Sequence, residues 1–146
     1  MLCNRGGGGK SYGASAALQS AVFQHLGADS ALAVLVGPAI YDALPTGTIP
    51  PLYVTLGPED VRDRSDASSP GAWHKFTVSV ISQAAGFSSA KATAAAISDA
   101  LIDAPLSLSA GRLVALNFDR ARARRESGGQ LRRIDLTFRA RIDGAA

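Results

Sequence analysis

Residues that commonly build catalytic and metal sites are scarce in this chain. Its 146 residues include one cysteine, Cys3, and two histidines, His25 and His74. A single cysteine cannot close a disulfide within the chain, and these few ligands do not make a zinc site. We therefore expect neither a metal nor a cofactor. We interpret His74 as a residue at the rim of the core, because no chemical partner for it is evident.

Long apolar runs are also missing. No run approaches the roughly 20 residues that a membrane-spanning helix needs, so we expect a soluble protein with no membrane partner. The N-terminus lacks the apolar segment and small-residue cleavage site of a signal peptide. The length suits one domain. We expect that domain over residues 11–146, after a mobile glycine-rich tail over residues 1–10.

One short run looks like a nucleotide-binding loop but lacks its context. GGGGKS occupies residues 6–11, yet the first glycine of the phosphate-loop pattern falls on Asn4. No strand precedes the run, and no acidic metal partner follows a later strand. The chain also lacks a serine-nucleophile motif and a carboxylate pair on a shared scaffold. These absences predict a protein that is not an enzyme.

The clearest positive pattern lies near the C-terminus. In the run LRRIDLTFRARID, charged or polar residues alternate with apolar ones, namely Ile134, Leu136, Phe138, Ala140 and Ile142. A period of two predicts a strand with one face on the core and the other in water. Its expected partner is RLVALNFDR, with Val114, Leu116 and Phe118 on one face, and Gly128-Gly129 is the expected turn.

The register of this hairpin requires an irregularity. With a two-residue turn alone, Phe118 would face Arg139 on the charged side. A one-residue bulge at Asp119 and Arg120 returns the ring to the apolar face. A three-residue turn would align the same ends but would point Arg120 and Arg122 toward the core, so we favour the bulge. The expected pairs are Arg122 with Asp135, Phe118 with Phe138, Leu116 with Ala140, and Val114 with Ile142.

The positive charge of the chain is concentrated in the same region. Residues 112–146 carry nine arginines and four acidic residues, a net charge of +5, so the remainder sums to −2. Such a split is typical of a contact surface for an acidic partner. An ordinary solvated strand face explains it equally well from sequence alone.

The remaining segments predict an alternation of helices and strands. We expect helices over residues 12–26 and, capped by Asp29, to residue 35; strands over 40–44, 52–56 and 73–82; and a long polar loop over 57–71. A second long helix is expected to be capped by Ser88 or Ser89 and to be ended by Pro105. Its apolar stripe is expected to comprise Ala92, Ala96, Ile97, Ala100 and Leu101. This order predicts a two-layer α+β fold, with an antiparallel sheet, a long C-terminal hairpin and helices packed on one face.

The chain resembles the tail-terminator, or tail-completion, proteins of long-tailed phages, and most nearly the version carried by gene transfer agents. The resemblance rests on SYGASAALQSAVFQHLGAD, IPPLYVTLGPEDVRDRSD, WHKFTVSVISQ, the alanine-rich helix and RRIDLTFRARID, which together span residues 11–143. It implies a structural virion protein whose copies form a six-membered ring. Such a ring ends tail-tube growth and joins the tube to the head connector.

The same resemblance implies location and partners. The ring would lie at the head-proximal end of the tail of a virion or gene-transfer-agent particle, assembled in the bacterial cytoplasm. Its partners would be copies of itself, the tail-tube protein and a head connector or stopper protein, with DNA only as cargo passing through. The loop over residues 57–71 and the arm over residues 120–126 are the expected points of contact. The candidate contact residues are Arg62, Asp63, Arg64, Arg120, Arg122, Arg124, Arg125, Arg133, Arg139 and Arg141.

Two alternative functions stay open. One is a tail-tube or head-connector subunit of similar fold. The other, of a different class, is a basic nucleic-acid-binding module, because arginine suits phosphate. Against that second alternative, the arm interleaves its arginines with alanine rather than with the aromatic residues that stack bases.

Overall fold

Three helices and five strands follow one another in the computed structural model, which describes residues 14–63, 71–102 and 104–143. The helices are α1 (Ser15–Gly27), α2 (Ser30–Val36) and α3 (Ser88–Leu101). The strands are β1 (Ile40–Tyr41), β2 (Leu52–Asp63), β3 (Gly71–Ser82), β4 (Arg112–Glu126) and β5 (Leu131–Asp143). The expected tail over residues 1–10, the GGGGKS run and Arg64 lie outside the described residues.

The strands form one sheet with the order β1-β2-β3-β5-β4. Neighbouring strands are antiparallel except β1, which pairs in parallel with β2 through Ile40 and Val54. The α+β class and the C-terminal hairpin are therefore confirmed, whereas the sheet is mixed rather than wholly antiparallel. The link over residues 42–51 allows the parallel pairing, because it is long enough to carry the chain back to the same end of the sheet. No helix among the described residues is both long and apolar enough to span a membrane.

The first two helices follow the sequence pattern closely. Leu18, Val22 and Leu26 recur at the spacing of one helix face, and each is at most 1% exposed. The carboxylate of Asp29 accepts a hydrogen bond of 3.0 Å from the backbone N–H of Leu32, which satisfies a free donor at the start of α2. The predicted cap is thus confirmed.

Helix α3 confirms part of the expected stripe. Ile97 and Leu101 are buried as expected, and so are Ala90 and Ala94, whereas Ala92 is exposed. The buried residues lie three or four positions apart, as one face of a helix requires, and Ala92 falls between them. The expected serine cap is also wrong, because Phe87 occupies the N-cap position and no side chain caps the helix.

The core lies between the helices and one face of the sheet. On that face, alternate residues of the three central strands are buried: Val54, Phe76, Val78, Val80, Ile134, Leu136 and Phe138. Phe138 is fully buried, and its ring lies 5.6 Å from the ring of Phe76. The helices supply the opposing layer of this core.

The second strand is longer than the sequence pattern suggested. Residues 57–63 were expected to form a loop, but β2 continues to Asp63 and pairs with β3. A bulge between Leu56 and Glu59 interrupts the alternation that marks a strand, and so it obscures the strand in the sequence. Gly57 suits the bulge, because a Cβ there would lie 3.3 Å from the carbonyl oxygen of Thr77.

The C-terminal hairpin has the predicted register over most of its length. Arg122 pairs with Asp135 and Phe118 with Phe138, and a bulge separates Phe118 from Arg120. Gly128 and Gly129 both have positive φ, as a two-residue hairpin turn requires, and the N–H of Gln130 donates to the carbonyl of Ser127.

A second bulge in β4 was not predicted. It lies between Leu113 and Ala115, so Leu113 instead of Val114 pairs with Ile142. Val114 is consequently 48% exposed. Phe118, although on the core side, is still 43% exposed, because β4 is the edge strand and extends beyond the cover of the helices.

Candidate interaction surface

The face of the sheet opposite the helices carries most of the arginines of the hairpin. In β5 this outer face presents Arg133, Asp135, Thr137, Arg139 and Arg141, and β4 places Arg124, Arg122 and Arg120 beside the first three of them. This grouping follows from the two-residue period of the strands and from the bulge at Asp119, which brings Arg120 onto the same face as Arg122. The structure therefore gathers six of the predicted contact arginines on one surface.

An ion-pair network occupies the centre of this surface. Asp135 accepts a hydrogen bond of 2.9 Å from Nε of Arg133 and one of 2.6 Å from the hydroxyl of Ser79. Nη1 of Arg124 lies 3.3 Å from Asp135, and its Nε lies 2.9 Å from Glu126. Arg124 and Arg133 are thus held by carboxylates within the chain.

The pKa of Asp135 reflects the balance of its surroundings. Partial burial by itself would raise the pKa of this carboxyl group. The hydrogen bonds from Ser79 and Arg133 and the charges of Arg133 and Arg124 outweigh burial, and they hold the pKa of Asp135 below its ordinary value. The carboxylate is therefore more stable in the folded chain than in the unfolded one.

A pH dependence of stability follows from this lowered pKa. The stabilisation is complete above the unfolded-state pKa, about 3.9 for aspartate. It is lost as the pH falls below that value and through the lower folded-state pKa. Asp135→Asn should therefore reduce the free energy of unfolding at pH 7 and make its decline in acid less steep. Urea denaturation of both proteins between pH 7 and pH 3 measures this; parallel curves would contradict it.

Trp73 contacts two arginines at the end of the outer face that is farther from the hairpin turn. The guanidinium carbon of Arg139 lies 4.9 Å from the centre of the Trp73 ring, and that of Arg141 lies 5.9 Å away. Nε of Arg141 also donates a hydrogen bond of 2.8 Å to Asp143. These two arginines are therefore positioned by an aromatic ring, a partner that the sequence analysis did not assign to them.

Four candidate arginines in the described part of the chain have no acidic partner. Among the residues that the structure describes, Arg120, Arg122, Arg125 and Arg139 form no ion pair. All four are exposed. Arg62 and Asp63 lie in the distal half of β2, opposite Trp73 and Ala72, and not in a protruding loop. Three of these four arginines lie in the half of β4 nearest the turn, Arg120 and Arg122 on the outer face and Arg125 on the helix side, while Arg139 contacts the ring of Trp73.

Both lateral edges of the sheet have unpaired stretches. β4 is the outermost strand on one side over its whole length, from Arg112 to Glu126. On the other side β1 covers β2 only at Val54 and Thr55. Within the described ranges, β2 therefore has no second strand partner beyond Thr55. Unpaired strand edges expose backbone donors and acceptors that another chain can satisfy.

His74 is not a rim residue, as the sequence had suggested. It is 1% exposed, and its Nδ1 lies 3.1 Å from Oε2 of Glu59. The other carboxylate oxygen of Glu59 accepts a hydrogen bond from the hydroxyl of Ser15 at the start of α1. The β2 bulge places Glu59 on the core side, and so gives His74 the carboxylate partner that linear spacing does not reveal.

Removing His74 should therefore destabilise the fold. His74→Leu keeps a side chain of similar size but leaves the largely buried Glu59 without one of its partners. We expect a loss of about 1–3 kcal/mol in the free energy of unfolding, the typical cost of an unsatisfied buried polar group. Glu59→Gln retains hydrogen-bonding atoms at the same place and should cost less. Urea denaturation at neutral pH compares them, and a His74→Leu protein as stable as the parent would show that the pair is unimportant.

Comparisons with known proteins identify the class of this fold. The family model described as Tail completion protein gp17 matches residues 20–143. A chain from the solved structure described as the virion of a native gene transfer agent particle is 59% identical, with a TM-score of 0.88. That match covers 92% of this chain and all of the other. A comparison with curated protein sequences finds no match.

These matches define a structural protein of a phage-type virion tail. More narrowly, the chain belongs to the tail completion protein gp17 family. The resemblance found in the sequence is thereby confirmed, and so is the expected place of the protein in a virion tail.

Proposed function

We propose that this protein is a tail terminator. Copies of the chain form a closed ring of six that ends tail-tube growth and joins the tube to the head connector, in a gene-transfer-agent or phage particle. The role is purely structural, and DNA passes through the ring as cargo. The single observation that carries the proposal is membership of the tail completion family over residues 20–143, supported by a 59% identical chain in a gene transfer agent particle.

The sheet edges favour lateral contacts between copies. β4 and the distal half of β2 lie on opposite sides of each subunit, so a contact between them joins two different surfaces. Repetition of such a contact closes a ring when the rotation between copies is suitable. The two unpaired edges described above are the surfaces that the proposal assigns to this contact.

The strand directions are compatible with the same contact. Three antiparallel steps, β2 to β3, β3 to β5 and β5 to β4, make β2 and β4 run in opposite directions. If the ring axis is parallel to the strands, rotation about it leaves the direction of every strand unchanged from one copy to the next. The β2 edge of one copy would therefore meet the β4 edge of the next in antiparallel pairing.

Charge suits the edge of β4 to a protein contact. The half of β4 nearest the turn carries Arg120, Arg122 and Arg125, which have no carboxylate partner among the described residues. Arginine binds carboxylate through a planar pair of hydrogen bonds. We assign the arginines of the arm to protein contacts, with the neighbouring copy first, and the remaining outer-face arginines to the tube or connector.

The test is the assembly state of the purified chain. Light scattering and negative-stain imaging, with and without isolated tail tubes, should show closed rings with the mass of six subunits and rings seated on tube ends. A chain that stays monomeric and leaves tube ends bare would contradict the proposal. Open filaments would instead favour a tail-tube subunit, because filaments arise when the rotation between copies does not close.

A further inference from the structure

Arg132 differs from every other arginine of β5. It lies on the helix side of the sheet, because it is two residues from the buried Ile134, and it is only 9% exposed. Its neighbours Arg133 and Arg141 each bind a carboxylate, and Arg139 is exposed over Trp73. Among the described residues no carboxylate lies within ion-pair distance of Arg132.

The hydrogen bonds of Arg132 leave its charge unbalanced. Its two terminal nitrogens donate to the backbone carbonyls of Gly129 and Ala85. Nε is buried and has no acceptor. A guanidinium group has five N–H donors, so these two bonds leave three donors unused. Burial of a charge without an opposite charge is unfavourable, and an anion bound here would relieve it.

The N-terminus of α3 adds a second source of positive potential at the same place. Phe87 is the N-cap, no side chain caps the helix, and the first turn contains no acidic residue. The free N–H groups at a helix start carry partial positive charge and bind anions. The guanidinium carbon of Arg132 lies 5.7 Å from the centre of the Phe87 ring, and Nζ of Lys91 lies 6.0 Å from it. Two cations and an uncapped helix start thus surround one ring.

A groove opens between the loop before α3 and the hairpin turn. Arg132, Ala85, Gly129 and Leu131 line it together with the polar residues Gln83, Ser127 and Gln130. No acidic residue is among the lining residues. The groove therefore offers hydrogen-bond donors beside a buried arginine and supplies no negative charge of its own.

We propose that this groove binds a carboxylate from a partner protein, an aspartate or glutamate side chain within an acidic segment. The planar carboxylate suits the planar guanidinium, and the start of α3, which follows the groove-lining loop, adds positive potential nearby. A nucleic-acid strand is a poorer fit, because a polyanion is bound by a row of cations and Arg132 is the one cation that lines this groove. The site lies on the helix side at the turn end of the hairpin. It goes beyond the proposed ring contact and does not depend on it.

The test uses tetraglutamate, acetylated and amidated at its ends, as the probe for an acidic segment. Titration of the intact chain, followed by ¹H–¹⁵N NMR, should shift the backbone amides of Ser88, Ser89 and Ala90 and the Nε–H signal of Arg132 in a saturable way. Tetraglutamine should not shift them. Absence of saturable shifts at these groups would overturn the proposal.

Matched variants separate a built site from general surface charge. Arg132→Gln should abolish the shifts of the α3 amides, and Lys91→Gln should weaken binding several-fold while the fold is retained. Arg139→Gln removes an equal charge from the opposite face and should leave binding unchanged. If Arg132→Gln does not fold, the comparison of Lys91→Gln with Arg139→Gln decides. Equal weakening by those two variants would overturn the site.

Two further measurements distinguish a protein ligand from nucleic acid and separate this proposal from the proposed ring. Oligothymidylate that shifts the same amides at lower concentration than tetraglutamate would assign the groove to nucleic acid and not to a protein. Ring formation scored in the same samples keeps the two proposals separate. Normal rings without peptide binding would reject the carboxylate site alone, and peptide binding without rings would reject the terminator ring alone.

Discussion

Replacement of Phe138 with alanine is expected to reduce the free energy of unfolding by about 3–5 kcal/mol. The side chain is fully buried, and its ring packs between those of Phe76 at 5.6 Å and Phe118 at 5.9 Å. Alanine would remove both ring contacts and leave a cavity that the neighbouring strands cannot readily fill, because they are fixed by the sheet. Urea denaturation, fitted to a two-state transition, measures the loss.

The adjacent residue provides the matched control. Arg139 is exposed and makes a cation–π contact with Trp73 at 4.9 Å, which is worth about 0.5–1 kcal/mol at an exposed site. Arg139→Ala should therefore cost no more than that. A larger cost for Arg139→Ala than for Phe138→Ala would show that the strand faces are assigned the wrong way round.

Charge reversal of Arg120 and Arg122 together is expected to abolish ring formation while the chain remains folded. Among the described residues neither side chain has a carboxylate partner, so the double change breaks no ion pair that the structure shows. Arg124 is a poorer choice, because it is bound by Asp135 and Glu126. In the proposed ring the new glutamates would meet the carboxylates of the neighbouring copy to which these arginines are assigned, and like charges across an interface oppose association.

The measurement is the fraction of subunits in rings, by light scattering and negative-stain imaging, with circular dichroism to confirm folding. The control adds two acidic residues elsewhere, Ala92→Glu and Ala95→Glu, on the exposed side of α3. The control should form rings normally. Unimpaired joining of tubes to heads by the arginine double variant, together with loss of a salt-sensitive affinity for DNA, would instead favour nucleic-acid binding, whose affinity falls steeply with salt.

The features that sequence predicted best depend on local periodicity. The alternation in β5 placed Phe138 in the core and Arg139 outside it, and both positions are confirmed. The bulge near Asp119 was also predictable, because the two arms of the hairpin have apolar residues out of phase unless one residue is added. The second bulge at Leu113 and Ala115 left no such signal, since Leu113 and Val114 are both apolar and either suits the core.

The features that sequence missed depend on contacts between distant segments. Glu59 reaches His74 only because of the bulge in β2, and nothing in the spacing of these residues indicates that bulge. The parallel pairing of β1 rests on two residues, Ile40 and Tyr41, which is too short a run for a periodic signal. Arg132 is an intermediate case. Arg132 is two residues from Ile134, so the strand period places both on the buried face. The adjacent Arg133 and the nearby turn, however, make the segment look like a solvent-exposed basic turn.

The bulges in the edge strands affect how a subunit behaves before it assembles. Three bulges, two in β4 and one in β2, lie on the strands that have no outer neighbour over part or all of their length. A bulge bends and twists a strand, and charged side chains beside it discourage other strands from adding. An unrelated flat strand would therefore fit poorly against either edge. The bulges would in this way keep free subunits from pairing with foreign strands before the proposed ring forms.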